Sequence, residues 1–398
     1  MKDKLKNLTQ TTGFMNFISS VAAIFVGLIF GLIILLISNP SQAFPAFLTI
    51  LKGGLTSGLQ GIGEVWYYAT PIIMTGLSVG FAFKTGLFNI GTPGQFIVGA
   101  YAAVYVGVEW TWLGPAHWIV AILVAMVAGG IWGVVPGLLK AYANVNEVIS
   151  SIMMNYIGMY LVNLMITKTV YDQVANQTLS PAASSVIPRL GLDKLFSYAG
   201  ANIGIILSAL VVLIIYVLLN KTTFGFELKA CGHNPLASKY AGINSKRNIV
   251  LSMIIAGALA GIGGGLLYLA GTGKHIQVLD ILPAEGFNGI PVALLGLSNP
   301  IGVFFAGLFI AHITVGGINL QFYDFVPEII DIIIASIIYF SAFSLLFKSL
   351  LVKLSKRNSD KKLARVATTN AETIATGDAV GKIANDATPQ EQEEGGNE

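Results

Sequence analysis

The stretch 249-IVLSMIIAGALAGIGGGLLYLA-270 combines an unbroken apolar run with glycines that recur every fourth residue. Its length matches the roughly 20 residues that a helix needs to cross a bilayer. Backbone groups in lipid need internal partners, and a continuous apolar run rather than strict alternation predicts a helix. Gly257, Gly261 and Gly265 would form a strip of small residues that lets a second helix approach closely, as would Gly129, Gly133 and Gly137. The stretch therefore predicts a bundle of membrane helices.

The composition of the whole chain agrees with this interpretation. Of 398 residues, 54% are hydrophobic and only 11% are charged, and 45 are glycines. A soluble domain rarely has this combination. The net charge of +3 is too small to indicate binding to nucleic acid, and a single cysteine, Cys231, excludes a disulfide within the chain. We therefore expect an all-α, polytopic membrane protein whose surroundings are the lipid bilayer.

Counting roughly 20 residues for each crossing, we predict about ten transmembrane helices. The spans 93–108 and 284–297 are short and contain glycine, which is expected where a helix is broken or re-entrant and lines a cavity. Spans 2–5 and 7–10 then run in opposite directions, which suggests an inverted repeat. The predicted spans are 17–38, 65–83, 93–108, 117–139, 148–167, 201–219, 249–270, 284–297, 300–318 and 329–347.

The basic residues give the expected orientation, because Lys and Arg in short loops favour the cytoplasmic side. They collect before the first span and in the loops after the second, fourth, sixth and tenth spans. All these places lie on one face when both termini are cytoplasmic. Losing one pair of short spans would also keep both ends on that face.

The same pattern divides the chain into parts. Residues 1–352 form the transmembrane domain, with an extracellular loop over 168–200 and a polar cytoplasmic loop over 220–247. In the outer loop, 186-VIPRLGLDKLF-196 is expected to form a short amphipathic surface helix. Residues 353–398 have low hydrophobicity and no periodicity, which indicates a disordered cytoplasmic tail.

Catalytic and nucleotide-binding patterns are missing from the sequence. No Asp, Glu, Lys or Arg falls well inside a span, which argues against proton coupling and intramembrane catalysis but leaves sodium coupling open. The segment 271-GTGKH-275 lacks the first glycine and the Ser or Thr of a P-loop. His233 and His312 are isolated, so no metal site is expected. We predict a protein that is not an enzyme and binds no cofactor directly.

Two polar stretches interrupt apolar sequence where helices are expected to break. They are 86-GLFNIGTPGQFIVGAY-101 and 284-AEGFNGIPVALLG-296. Glycine and proline free backbone groups that need water, a protein partner or a ligand. Such segments mark a central binding site in transporters. The alternative is that their polar side chains only satisfy the broken backbone.

The cytoplasmic loop contains signals for a short helix, 235-PLASKYA-241. Asn234 is a favourable N-cap, Pro235 suits the first helical position, and Gly242 can end the helix in the left-handed conformation. A helix this short is marginal alone, so we expect another protein to hold it.

Four ordered stretches resemble the permease subunits of bacterial ABC importers in the branched-chain amino acid and ribose group, especially those for nucleosides and simple sugars. The resemblance covers about residues 60 to 345. It is carried by 88-FNIGTPGQ-95, 146-NEVISSIMMNYI-157, 225-GFELKACGHNPLASKYAGI-243 and 286-GFNGIPVALLGLSNPIG-302.

The resemblance implies a permease in the bacterial cytoplasmic membrane that pairs with a second permease or a copy of itself. Cytoplasmic ABC ATPases would hydrolyse ATP, and an extracellular substrate-binding lipoprotein would deliver the solute. The coupling helix would comprise Asn234, Pro235, Leu236, Ala237, Lys239, Tyr240 and Gly242. The substrate-pathway candidates are Phe88, Asn89, Gln95, Asn155, Phe287 and Asn288.

One position departs from the family, because Pro93 stands where relatives often have an acidic residue. A pathway with amides and aromatics but few charges suits uncharged, hydroxyl-rich solutes, and the resemblance favours nucleosides over free sugars. The alternative is an ion-coupled secondary transporter of a small neutral solute. Such a carrier has no need of a capped docking helix.

Overall fold

A computed structural model describes residues 12–198 and 200–325, and isolated positions between 332 and 353. The chain divides into two compact units, of which the larger is Ala22–Ser344. In the smaller unit, the described stretch 12–21 is helical. The predicted span 329–347 is described only at isolated positions, and the predicted tail beyond Lys353 lies outside the described residues.

The first half of the described chain consists of helices joined by short turns. A turn of 3-10 helix, Gly53–Leu55, follows the second helix, and another, Thr111–Ala116, precedes the fifth. The helices are α1 (Thr12–Ser38), α2 (Ala43–Lys52), α3 (Leu59–Lys84), α4 (Thr92–Glu109), α5 (His117–Ala143) and α6 (Glu147–Lys168).

The second half begins with a small antiparallel hairpin, in which β1 (Tyr171–Asp172) pairs with β2 (Gln177–Thr178). Two further 3-10 turns, Ala183–Ser185 and Asn319–Tyr323, lie in this half. Its helices are α7 (Leu192–Leu195), α8 (Gly204–Lys221), α9 (Thr223–His233), α10 (Pro235–Tyr240), α11 (Ser245–Tyr268), α12 (Ala284–Phe287), α13 (Gly289–Leu295) and α14 (Pro300–Ile318).

The described helices make this an all-α, multi-pass membrane protein. Within the described residues, five helical segments are long and apolar enough to cross a bilayer: Thr111–Ala143, Glu147–Lys168, Gly204–Lys221, Ser245–Tyr268 and Pro300–Tyr323. Helix α3 is also long, and every residue from 69 to 82 is buried. Since protein rather than lipid surrounds α3 there, its side chains need not be uniformly apolar.

Three local expectations change. The short span 93–108 is one continuous helix, Thr92–Glu109, and the break in the chain lies before this helix rather than within it. The short span 284–297, by contrast, is broken as predicted, into α12 and α13. The surface helix predicted over 186–196 is confined to α7, because Pro188 lacks a backbone donor and Gly191 adopts a positive φ of 82°. Helices α2 and α9 were not predicted.

Helices α5 and α11 pack through their glycines, as the sequence predicted. A Cβ atom added to Gly257 would lie 2.3 Å from the carbonyl oxygen of Gly129, and one added to Gly261 would lie 2.2 Å from that of Ala125. On the other helix, a Cβ on Gly133 would lie 2.3 Å from the carbonyl oxygen of Met253. The two backbones therefore touch directly, and dispersion contacts along this seam hold the centre of the bundle together.

Adjacent glycines of α5 provide a matched test of this seam. Gly129→Ala places a methyl group against the Gly257 backbone and should destabilise the protein by about 1–3 kcal/mol. Gly130→Ala meets only ordinary contacts, the nearest at 3.4 Å, and should be neutral or slightly stabilising. Thermal unfolding in detergent measures both, and equal apparent Tm values for the two variants would contradict the packing.

Candidate functional site

The break between α3 and α4 is closed by a pair of buried amides. Asn89 Nδ2 donates to Gln95 Oε1 at 2.8 Å and to Ser78 Oγ at 3.2 Å, and Gln95 Nε2 donates back to Asn89 Oδ1 at 3.2 Å. Asn89 Oδ1 also accepts from the Gly91 backbone at 3.2 Å. Asn89 is 0% exposed and Gln95 is 1% exposed. The two side chains therefore tie the non-helical segment to both helices.

A third amide reaches the same break from α6. Asn155 Oδ1 accepts from the Gly94 backbone at 2.9 Å, and its Nδ2 donates to the carbonyl oxygen of Ile90 at 3.0 Å. The Gly94 N–H lies in the first turn of α4, where a helix has no internal partner for it, and the Ile90 carbonyl lies in the non-helical segment just before α4. Asn155 thus caps α4 from a neighbouring helix.

The second break packs against the first. A Cβ on Gly286 of α12 would lie 2.4 Å from Pro93 Cα in α4, and one on Gly289 of α13 would lie 2.5 Å from the Thr75 backbone in α3. Thr75 Oγ1 also donates to the Glu285 carbonyl oxygen at 3.0 Å. The segment around the second break therefore packs against both α4 and α3, beside the first break.

The structure brings together only some of the residues predicted to line a pathway. Asn89, Gln95 and Asn155 converge on the first break, and in this conformation they have almost no accessible surface. Phe88 stacks on Phe83, with ring centroids 5.2 Å apart. Phe287 lies on α12 and is 39% exposed, while Asn288 beside it is partly buried.

The capping signals predicted for the short helix at 235–241 are confirmed. Asn234 Oδ1 accepts from the Ala237 backbone at 3.0 Å, Pro235 is the first residue of α10, and Gly242 has a φ of 80°. The apolar side chains of α10 do not pack on the described chain, because Leu236 is 73% exposed and Tyr240 is 95% exposed. Ser238 is the buried residue of this helix. Helix α10 therefore presents large apolar groups that nothing in the described chain covers.

Helix α9, which sequence reasoning missed, connects α10 to the first break. A Cβ on Gly86, which follows α3, would lie 2.9 Å from Gly232 Cα in α9. Asn248 at the start of α11 donates to Glu227 Oε2 of α9 at 3.3 Å. The signal that could have found α9 is Thr222, whose hydroxyl caps it by accepting from the Gly225 backbone at 3.1 Å.

A lysine stands at the junction between α9 and the break. Lys84 Nζ lies 3.4 Å from the carbonyl oxygen of Leu297, to which it donates. Burial lowers the pKa of Lys84, and the positive charge of Lys229 on α9 lowers it further. The junction is thus partly desolvated and carries two like charges.

Comparisons with known proteins agree on one family. The family described as "Branched-chain amino acid transport system / permease component" matches residues 61–346. The guanosine ABC transporter permease protein NupP of Bacillus subtilis is 40% identical over 341 residues, 85% of this chain and 96% of the relative. The nucleoside ABC transporter permease protein NupB of Lactococcus lactis is 35% identical over 342 residues, covering 83% and 92%.

A sugar permease is also similar. The glucose ABC transporter permease protein TsgB13 of Haloferax volcanii is 32% identical over 296 residues, 72% of this chain and 77% of the relative. No solved structure matches the chain.

The capping role of Asn155 can be tested on its own helix. Asn155→Ala leaves a buried donor and a buried acceptor unpaired, and should destabilise the protein by about 1–3 kcal/mol. Thr167→Ala, at an exposed position of α6 where the hydroxyl bonds only to the backbone of that helix, is the matched control and should have little effect. Thermal unfolding of the purified variants checks this, and an unaffected Asn155→Ala variant would contradict the capping role.

Proposed function

The chain belongs to the family of branched-chain amino acid transport system permease components, and from this premise we propose that it is the permease subunit of an ATP-driven importer of nucleosides. It carries the solute across the cytoplasmic membrane of a bacterium by alternating access. It has no ATPase site, and a cytoplasmic ABC ATPase hydrolyses the ATP. A second permease subunit and an extracellular substrate-binding lipoprotein complete the transporter.

The proposed topology has about ten crossings and both termini in the cytoplasm. The distribution of Lys and Arg supports it. The inverted repeat is supported by the position of the two breaks, since one follows α3, the second span, and the other follows α11, the seventh. Residues 1–352 would form the permease domain and 353–398 a cytoplasmic tail.

The proposed substrate class rests on the relatives and on charge. NupP and NupB are named for guanosine and nucleosides, and they are more similar to this chain than the glucose permease TsgB13 is. Phe88, Phe287 and Asn288 at the two breaks keep accessible surface, and their rings and amide suit a neutral solute with hydrogen-bonding groups. A simple sugar is the alternative of the same kind.

The observation that carries the proposal of ATP coupling is the exposed face of α10. Leu236 and Tyr240 project from a capped helix and have no contact within the described chain that would bury them. Exposed large apolar residues on a rigid element are typical of a docking site. We place the ATPase on this face.

The contacts of α9 suggest how docking reaches the pathway. Gly232 and Gly86 touch through their backbones, so a displacement of α9 bears directly on the segment that ends at Asn89. There the three amides hold the break in one arrangement. We propose that Asn89, Gln95 and Asn155 stabilise this arrangement, and that Phe88, Phe287 and Asn288 border the route of the solute.

Two substitutions on α10 test the docking site. Leu236→Ala combined with Tyr240→Ala removes the exposed apolar groups while keeping the caps, so the permease should insert and fold normally. Nucleoside-stimulated ATP hydrolysis by the assembled complex in nanodiscs should fall at least about tenfold, because two anchors of an interface are lost. Trp112→Ala, which removes a 77% exposed aromatic outside the cytoplasmic loop, is the control and should leave coupling intact. Unchanged coupling in the α10 variant would refute the docking site.

Uptake measurements test the substrate class. Cells without the gene should lose uptake of labelled guanosine, uridine and adenosine, and restoring the gene should recover it, whereas ribose uptake should be unaffected. A deletion that impaired only ribose uptake would reject nucleosides and favour a sugar permease.

A further inference from the structure

A cavity of about 550 Å³ lies where α11 ends, far from the docking helix. Helix α11 begins beside α9 and has 24 residues, so its two ends are about 36 Å apart. The cavity is bounded by Tyr268 at the end of α11, by the 273–285 segment and by Ile97 of α4. Its volume falls in the range of about 300–1,000 Å³ that ligand pockets have.

His275, one of the residues that line the cavity, has a polar atom without a hydrogen-bonding partner among the described residues. His275 Nδ1 is buried and makes no hydrogen bond within the part of the chain that the structure describes. Buried polar atoms nearly always have a partner, so this nitrogen needs water or a ligand. His275 belongs to 271-GTGKH-275, which is no P-loop but here lines a pocket.

The remaining lining groups define what the cavity can accept. Lys274 and Glu285 form an ion pair with each other, which leaves no unpaired charge among the described lining residues. The amides of Gln177 and Gln277 add donors and acceptors, and the Tyr268 ring offers a flat apolar surface. An anion or a cation would have to displace the ion pair, whereas a neutral molecule with a flat ring and several polar groups would not.

We propose that this cavity binds the free nucleoside at the outer end of the translocation pathway, and that the His275 ring turns on binding so that its Nδ1, which is now buried and without a partner in the described chain, becomes one of the hydrogen-bonding partners of the nucleoside. The inference rests on the proposed function and adds a site to it. The nucleoside base lies against Tyr268, and the glutamine amides contact its polar edge.

The position of the cavity connects it to the pathway. Glu285 lines the cavity and belongs to α12, and the backbone of Glu285 accepts the hydrogen bond from Thr75 of α3. The next residue, Gly286, packs on Pro93 where the two interrupted elements meet. A solute in the cavity therefore contacts α12, and a movement of α12 would open the pathway towards the cytoplasm.

Protection of an introduced cysteine tests the site. The parent chain has one cysteine, the buried Cys231, so its reaction with the thiol reagent gives the background labelling. Leu279→Cys places a thiol at a 44% exposed lining position, and Val174→Cys places one at a 98% exposed position outside the cavity. Right-side-out membrane vesicles are prepared from cells that lack the gene for the substrate-binding lipoprotein, so that they contain the permease and its ATPase alone. They are treated with a membrane-impermeant thiol reagent, with and without uridine.

Uridine at about ten times its Kd should slow labelling of Leu279→Cys roughly tenfold, by simple occupancy, and leave Val174→Cys unchanged. Adding His275→Ala to Leu279→Cys should remove the protection, whereas His275→Asn, which keeps a polar group near Nδ1, should retain most of it. Ile281→Cys, a second exposed lining position, gives the same measurement if Leu279→Cys assembles poorly.

Other results would overturn the inference. Equal labelling of Leu279→Cys with and without uridine, in a transporter that still takes up nucleosides when complete, would refute the site and leave the proposed function standing. Protection of both cysteines would refute it as well, because uridine would then act outside the cavity. If deletion of the gene leaves all nucleoside uptake intact, the proposed function fails, and the inference fails with it.

Discussion

The rest of the structure depends on how the chain satisfies the backbone groups that it frees by breaking membrane helices. In lipid, an unpaired N–H or C=O group costs several kcal/mol, so a break is tolerated only where the protein supplies partners. Here the break after α3 receives them from Asn89 and Asn155, and Gln95 holds the Asn89 side chain in place. The same interactions that make the break possible also fix it in one arrangement, so any movement there must exchange these bonds for others.

Glycine provides the second condition, which is space for α11 in the middle of the bundle. Helix α11 meets the backbone of α5 at Gly257 and Gly261, and Gly99 of α4 approaches it equally closely, since a Cβ on Gly99 would lie 2.3 Å from Gly261 Cα. Only residues without a Cβ permit three backbones to come so near. The interrupted elements can then pack around α11 and α3.

The sequence predicts those features that arise from local chemistry. The glycine strips, the caps of α10 and the break within 284–297 follow from residue types at fixed spacing, and the structure confirms them. The sequence could not predict that Asn155 would bond to Gly94, because that contact depends on how α6 packs against α4. Likewise, the buried state of Asn89 and Gln95 follows from tertiary packing, and a polar stretch in an apolar chain is compatible with either a lined path or a satisfied backbone. Helix α9 was missed because polar and basic residues dominate its loop, although Thr222 marks its start.

Helix α11 has a further property that follows from its two ends. Its first turn is bonded to α9 through Asn248 and Glu227, and its last residue, Tyr268, borders the cavity. A helix transmits displacement along its axis because its hydrogen bonds are stiff, and a seam of glycines has few interlocking side chains to oppose a small slide. A shift of α9 is therefore expected to move Tyr268 relative to α4 and α12. On this argument one rigid element couples the proposed docking surface to the proposed nucleoside site, and the breaks beside that element absorb the movement.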